Sequence, residues 1–259
     1  EEEHRSSVGD FVMRDIIILL GPPGAGKGTV APVVKSKLGV PQLSTGALLR
    51  DVVRQDSKTG RKIKGMMQKG ELVPDEIVMK LLKERILHKD CDRGFILDGF
   101  PRTMEQAKAL DTLLTEMRER VTMALYIKVD PSILEKRICG RWCHKRSGRV
   151  YHVSSHPPKS MKLKNGAPDP QTMRDDKTGE ALYQRADDTP EALKRRLVDF
   201  HKHYDGILEY YRKAKKTVNG NGSIQEVRKR VSFIMDDHMT STFVIRNAYD
   251  LVDTPKSKL

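Results

Sequence analysis

The segment Gly21–Thr29, GPPGAGKGT, follows directly on the apolar run Ile16–Leu20, IIILL. It matches the pattern G-x-x-x-x-G-K-[ST] with the threonine one position late, because Gly28 stands where the hydroxyl residue is usual. The apolar run predicts a buried strand, and the residues after the loop predict a helix to about Leu38. In this strand–loop–helix setting, backbone N–H groups and the helix N-terminus bind phosphate.

The loop also predicts which groups meet the phosphates. Lys27 supplies a point charge for the β- and γ-phosphates. Asp98 ends a second apolar run, Gly94–Leu97, and a carboxylate at the end of a neighbouring strand can hold Mg²⁺ directly or through water. The backbone is expected to contact phosphate at Gly24, Ala25, Gly26, Lys27, Gly28 and Thr29.

Strand and helix patterns alternate along the rest of the chain. Further strands are predicted at Met123–Val129 and Thr217–Val218. Helices are predicted with Pro74 in the first turn, after Thr103, after Pro131, and from a Thr189 cap through Pro190 to about Lys213, the longest of them. This alternation predicts an α/β fold with three αβα layers around a central parallel sheet.

Two stretches interrupt the alternation. Residues 44–73 have the pattern of two short helices with a break at Lys58–Gly60, and residues 141–185 carry turn signals with little helical periodicity. A loop of that length in a compact domain is usually functional or disordered. The weakly patterned segment after Asp237 is expected to be loosely held.

Composition narrows the class of protein. Among 259 residues, 37% are hydrophobic and 32% charged, which is typical of a soluble globular protein, and no apolar run approaches the roughly 20 residues needed to cross a membrane. The acidic N-terminal stretch lacks the apolar core of a secretory signal, and because it does not begin with methionine we expect the natural N-terminus to lie upstream. Three cysteines, an odd number, favour a reducing compartment over a disulfide framework.

The net charge of +13 is concentrated in one stretch. Residues 141–185 contain ten Lys/Arg against four Asp/Glu, a net +6. A nucleic-acid-binding module is one interpretation of such charge. The few aromatic residues among these charges and the nearby phosphate loop favour phosphate binding instead.

Several motifs occur in a fixed order: GPPGAGKGT, STGALLR (44–50), GELVPDEIV (70–78), LDGFPRTMEQA (97–107), RICGR (137–141), SGRVYH (147–152), RADD (185–188) and RRL (195–197). Over about residues 14–237 they resemble the long-lid form of adenylate kinase. The resemblance implies reversible Mg²⁺-dependent transfer of a phosphoryl group from ATP to AMP, giving two ADP, by a monomer. It implies a core of residues 14–43, 74–139 and 187–237, a helical monophosphate-binding insertion at 44–73, a lid at 140–186, an N-terminal extension at 1–13 and a C-terminal tail at 238–259.

The resemblance also assigns the binding residues. AMP would be held by Thr45, Arg50, Glu71, Leu72, Val73, Gly99, Phe100, Pro101, Arg102, Gln106, Arg185 and Arg196. Besides the loop, ATP would be held by Arg137, Arg141, Val150, Tyr151 and Gly222. The catalytic groups would be Lys27, Asp98, Arg102, Arg137, Arg141, Arg185 and Arg196.

The chemistry explains the need for arginine. The acceptor is a phosphate oxyanion, already nucleophilic at neutral pH, so catalysis must neutralise crowded negative charge and exclude water. Guanidinium groups bind phosphate oxygens in pairs, which lysine cannot do.

Several positions depart from the family pattern. Ala47 replaces an aspartate that many relatives place near the Mg²⁺ water shell, so metal binding is expected to rest on Asp98. Cys139 and Cys143 are spaced Cys-x-x-x-Cys without a second pair, which disfavours a structural zinc. Residues 159–174 resemble an insertion with no assigned role. A polar network in the lid is expected instead of zinc, formed by His144, Ser147, Asp175 and Thr178.

The printed sequence ends in Ser257-Lys258-Leu259, which matches a peroxisomal import tripeptide read by a receptor. It predicts import into a peroxisome or glycosome, with the cytoplasm as the alternative.

Other functions remain open at this point. A relative using GTP as donor or another monophosphate as acceptor is the nearest alternative. A GTPase switch is disfavoured because no N-K-x-D motif for the base is present. A non-catalytic adenylate sensor is disfavoured because all the predicted catalytic positions are filled.

Overall fold

The computed structural model describes residues 14–55, 57–69 and 71–252, with side chains as far as Thr242. The import tripeptide and the N-terminal extension lie outside these residues. Within them, no helix is long and apolar enough to span a bilayer.

Five parallel strands form the central sheet in the order β10-β4-β1-β3-β2. Four of them lie where the apolar runs predicted strands, although β10 is longer than predicted. The sequence patterns missed β2, whose three residues alternate in burial too briefly to give a signal. The strands are β1 (Asp15–Leu20), β2 (Gln42–Ser44), β3 (Gly94–Asp98), β4 (Met123–Lys128) and β10 (Lys215–Asn219).

The helices occupy most of the remaining core and the first insertion. They are α1 (Lys27–Leu38), α2 (Thr45–Arg54), α3 (Lys58–Lys69), α4 (Asp75–Ile86), α5 (Met104–Glu116), α6 (Leu134–Cys139), α7 (Pro190–Tyr210) and α8 (Ile224–Val252).

Helices cover both faces of the sheet. Along β1, Ile16, Ile18 and Leu20 face one buried cluster, and Ile17 and Leu19 face another. The first cluster includes apolar residues of α4, α5 and α7, and the second includes those of α1 and α8. Because a parallel sheet buried on both faces gives such continuous apolar strands, the predicted three-layer αβα fold is confirmed.

Four details differ from the predictions. The predicted break at Lys58–Gly60 lies inside α3, which begins at Lys58 because the Ser57 hydroxyl accepts a hydrogen bond from the Gly60 N–H at 2.9 Å and caps the helix. No helix was predicted after about Lys213, but α8 extends from Ile224 to Val252 and is the longest helix among the described residues. Pro74 precedes α4 instead of lying in its first turn, and α7 ends at Tyr210 instead of near Lys213.

Residues 140–186, which the resemblance assigns to a lid, have β structure in place of the predicted loop. Three short antiparallel strands pack around a small core of Trp142, Tyr151, Met173 and Leu182. The segment 159–174 adds a separate two-stranded hairpin. The strands are β5 (Arg141–His144), β6 (Val150–His152), β7 (Leu163–Lys164), β8 (Ala167–Pro168) and β9 (Leu182–Tyr183). Turn residues every few positions hide such two- to four-residue strands from periodicity.

Candidate nucleotide-binding cleft

A cleft of about 1720 Å³ opens at the carboxyl edge of the central sheet. Loops that follow β1, β2 and β3 meet there, as expected for ligand sites in open parallel sheets. All the residues predicted to contact nucleotide line this one cleft. They are Gly24–Thr29, Thr45, Arg50, Glu71, Leu72, Val73, Asp98, Gly99, Phe100, Pro101, Arg102, Gln106, Arg137, Arg141, Val150, Tyr151, Arg185, Arg196 and Gly222.

Glycines shape the loop between β1 and α1. Gly24 and Gly26 have φ angles of +84° and +100°, which favour glycine. A Cβ on Gly24 would also lie 3.1 Å from the Leu134 carbonyl oxygen. The turn brings the start of α1, Lys27–Thr29, to the cleft, where the N–H groups of a helix N-terminus can bind phosphate.

Lys27, the first residue of α1, lies over this loop. Its Nζ donates to the carbonyl oxygens of Gly21 at 2.6 Å and Pro22 at 3.0 Å. Burial lowers the pKa of Lys27 to about 8; the Asp98 carboxylate opposes this shift, and three cleft arginines reinforce it. The charge is therefore held where anionic phosphate would stabilise it.

The segment after β3 forms a second polar wall. Thr45 Oγ1 and Arg102 Nε both donate to the Gly99 carbonyl oxygen, at 3.0 and 2.8 Å. Gln106 accepts from the Arg102 backbone N–H at 2.7 Å and donates to Asp75 at 2.5 Å. The structure thus brings the predicted acceptor residues together, and it adds Asp75, which the sequence did not single out.

Two arginines of the cleft have carboxylate partners. Arg141 forms a bidentate pair with Asp188, and Arg196 Nη1 lies 2.9 Å from Asp187 Oδ2. Burial lowers the pKa of Arg196 to about 10, against the opposing charge of Asp187. Asp187 and Asp188 belong to the motif RADD, but sequence reasoning gave them no role.

Arg137 and Arg185 have different surroundings. Arg137 Nη2 donates to the Gly220 carbonyl oxygen at 3.0 Å, beside the predicted donor-base residue Gly222. Arg185 has a buried Nε with no hydrogen-bond partner among the described residues. A buried guanidinium donor without a partner is costly, so an anion bound here would satisfy it.

Comparison with known proteins identifies the fold family. The family model for adenylate kinase matches residues 19–216. The chain belongs to the adenylate kinase family. It is 43% identical over 213 residues to adenylate kinase 2 of Schistosoma mansoni (82% of this chain, 84% of the relative). It is 44% identical over 216 residues to adenylate kinase 4 of Oryza sativa (83% and 84%), and 41% identical over 222 residues to adenylate kinase of Archaeoglobus fulgidus (85% and 97%). The reaction of the adenylate kinase family is transfer of a phosphoryl group from ATP to AMP to give two ADP.

The adenylate kinase family generally uses Mg²⁺ with ATP, and Asp98 is the residue of this chain predicted to hold the ion. Asp98 ends β3 at the floor of the cleft, and its Oδ2 accepts from Gln42 Nε2 at 2.9 Å. Mg²⁺ prefers oxygen ligands and keeps several waters, so one anchored carboxylate beside the phosphate loop fits the ion. Gln42 was missed because β2 was missed.

Within residues 140–186, which the resemblance assigns to a lid, the four predicted network residues lie together. His144 Nδ1 lies 2.7 Å from Ser147 Oγ, and Thr178 Oγ1 donates to Asp175 at 3.0 Å. Three further residues join them: Glu180 bonds His144 Nε2 at 2.7 Å, and Arg149 and Tyr151 donate to Asp175 at 2.7 and 3.0 Å. Arg149 and Tyr151 stand in the quoted motif SGRVYH, which was the available signal.

Both ring nitrogens of His144 are therefore engaged within the network. Across the described part of the chain, no group of three or more His, Cys, Asp and Glu residues is arranged to hold a metal ion. Cys139 and Cys143 are free thiols, the first half-buried and the second buried.

Proposed function

We propose that the cleft binds ATP and AMP together and that the predicted residues transfer the phosphoryl group between them. ATP lies on the phosphate loop, under the lid residues Val150 and Tyr151. AMP lies between the 44–73 insertion and the segment Gly99–Gln106. The observation that carries the proposal is that one cleft of about 1720 Å³ is lined by both predicted sets, well above the roughly 300–1,000 Å³ of a site for one small ligand.

Phosphoryl transfer between two nucleotides needs charge neutralisation more than acid–base chemistry. The AMP phosphate is the nucleophile, and the crowded charge at the transferring group is met by Lys27 and six arginines. These are Arg50, Arg102, Arg137, Arg141, Arg185 and Arg196. When bound near Asp98, Mg²⁺ would neutralise phosphate oxygens of ATP. Carboxylates and carbonyl oxygens hold several of these arginines before substrate arrives, which lowers the cost of ordering them.

A panel of donors and acceptors tests this proposal. We expect ADP to form from ATP plus AMP, and at least tenfold more slowly when GTP replaces ATP or when another monophosphate replaces AMP. Equal rates with GTP or with another monophosphate would instead support the broader nucleoside-monophosphate kinase, and no dependence on any monophosphate would contradict a two-nucleotide site.

We further propose that the protein acts as a monomer and is imported through Ser257-Lys258-Leu259, which lie outside the described residues. Size-exclusion chromatography with light scattering tests the first point, and a mass near 29.4 kDa is expected. A fluorescent reporter carrying the last residues tests the second. Punctate organellar signal that becomes diffuse on removal of Leu259 is expected, and diffuse signal in both cases would contradict import.

A further inference from the structure

Two consecutive arginines of α7 face different parts of the molecule. Successive residues of an α-helix project about 100° apart. Arg196 lines the cleft and pairs with Asp187, whereas Arg195 is exposed and its Nε donates to the backbone carbonyl oxygen of Lys69. One short stretch of helix thus contacts both the phosphate region and the 44–73 insertion.

Lys69 is the last residue of α3, where the backbone carbonyls have no intrahelical partner. The Glu71 N–H bonds back to the Met66 carbonyl oxygen at 3.0 Å, and Arg195 supplies a donor to the Lys69 carbonyl. One residue further along the chain, after Gly70, come Glu71, Leu72 and Val73, which line the cleft. The Arg195 hydrogen bond therefore acts on the end of α3 just before the wall assigned to the AMP base.

We propose that Arg195 is a positioning residue for the acceptor: it fixes the 71–73 wall relative to Arg196. The proposal rests on the acceptor site proposed above. Helix α7 is a firm anchor because its buried face, including Leu193 and Ile207, packs into the molecule. Since the hydrogen bond itself is exposed, it contributes little to global stability, and its effect falls on AMP binding.

Two substitutions separate the hydrogen bond from the charge of Arg195. Glutamine places its Nε2 donor at the same number of bonds from Cα as the arginine Nε, without the charge. Methionine has similar length but a methyl group at that point. If the donor matters, Arg195→Met raises KM for AMP about fivefold, whereas Arg195→Gln stays within twofold of the wild type.

The measurement is steady-state ADP formation, with ATP and AMP varied separately, for the wild type, both variants and the neighbouring exposed control Lys194→Met. KM for ATP and the Tm of each variant are expected to stay near wild type. A fivefold change in both variants, equal changes in KM for ATP and AMP, or no change in either variant would overturn the proposal. The wild-type rate in the same assay tests the proposed function separately.

Discussion

Gln42 Nε2 donates a 2.9 Å hydrogen bond to Asp98 Oδ2 across the adjacent strands β2 and β3. Ser44 and Asp98 are paired in the register of these strands, so Gln42 lies two residues earlier on the same face. The bond orients the carboxylate assigned to Mg²⁺. Gln42, which lies outside every recognised motif, is thereby part of the site.

Gln42→Met removes this donor while keeping the length of the side chain. We expect the Mg²⁺ concentration for half-maximal activity to rise about fivefold, because a freely rotating carboxylate loses entropy on holding the ion. At saturating Mg²⁺ the turnover should stay within about twofold of wild type. Magnesium titration of ADP formation measures the half-maximal concentration and the turnover. The control is Gln171→Met, a change at an exposed residue. An unchanged Mg²⁺ requirement would remove Gln42 from the metal site.

Lys27 makes ATP binding dependent on pH. With a pKa of about 8 in the free protein, about nine in ten Lys27 side chains are neutral at pH 9. Triphosphate bound beside Lys27 favours the charged form and raises its pKa, so binding at pH 9 takes up about one proton and affinity falls as pH rises above 8. Calorimetry in buffers of different ionisation enthalpy measures this uptake. It should vanish in Lys27→Met; uptake of equal size in that variant would assign the proton to another group.

Arg102 lines the cleft, with its Nε bonded to the Gly99 carbonyl oxygen. Arg102→Ala is expected to lower kcat at least 100-fold, because transition-state charge loses a fixed donor. Arg120→Ala, an exposed arginine outside the cleft, serves as the matched control and should leave kcat within twofold. Turnover near wild type in Arg102→Ala would exclude it from catalysis.

We expect the charge of Asp175 to stabilise the sheet of residues 141–183. The hydrogen bond from Arg149, assisted by the Thr178 backbone N–H, lowers the pKa of this carboxyl far below its ordinary 3.8. A carboxyl group with a lower pKa in the folded state than in the unfolded state stabilises the fold well above pH 4. This contribution is lost as pH falls below that value. We therefore expect Asp175→Asn to lower Tm at pH 7, and the difference from wild type to narrow from pH 5 to pH 3.

Thermal unfolding across that range measures the effect, with the exposed Asp92→Asn as control. A Tm difference that stays constant down to pH 3 would show that the Asp175 charge does not stabilise the lid.

The sequence predicted the core of the fold well because long apolar runs and a phosphate loop are strong local signals. Ile16–Leu20 and GPPGAGKGT place the central strand and the helix beside it, and motif order led to the cleft residues. Contacts between distant segments left no local pattern. Three such contacts depend on how separate elements pack: Gln42 with Asp98, Glu180 with His144, and Arg195 with Lys69. The whole of α8 was also missed, although Val227, Val231 and Met235 recur every four residues on its buried side.

We propose above that one cleft transfers a phosphoryl group from one nucleotide to another and not to water. Phosphorus NMR of a mixture of ATP, AMP and Mg²⁺ with the wild-type protein tests this most directly. Two ADP should appear for each AMP consumed, with no release of inorganic phosphate, and ATP alone should remain unchanged. Release of inorganic phosphate at a rate comparable to ADP formation, or consumption of ATP without AMP, would contradict the claim.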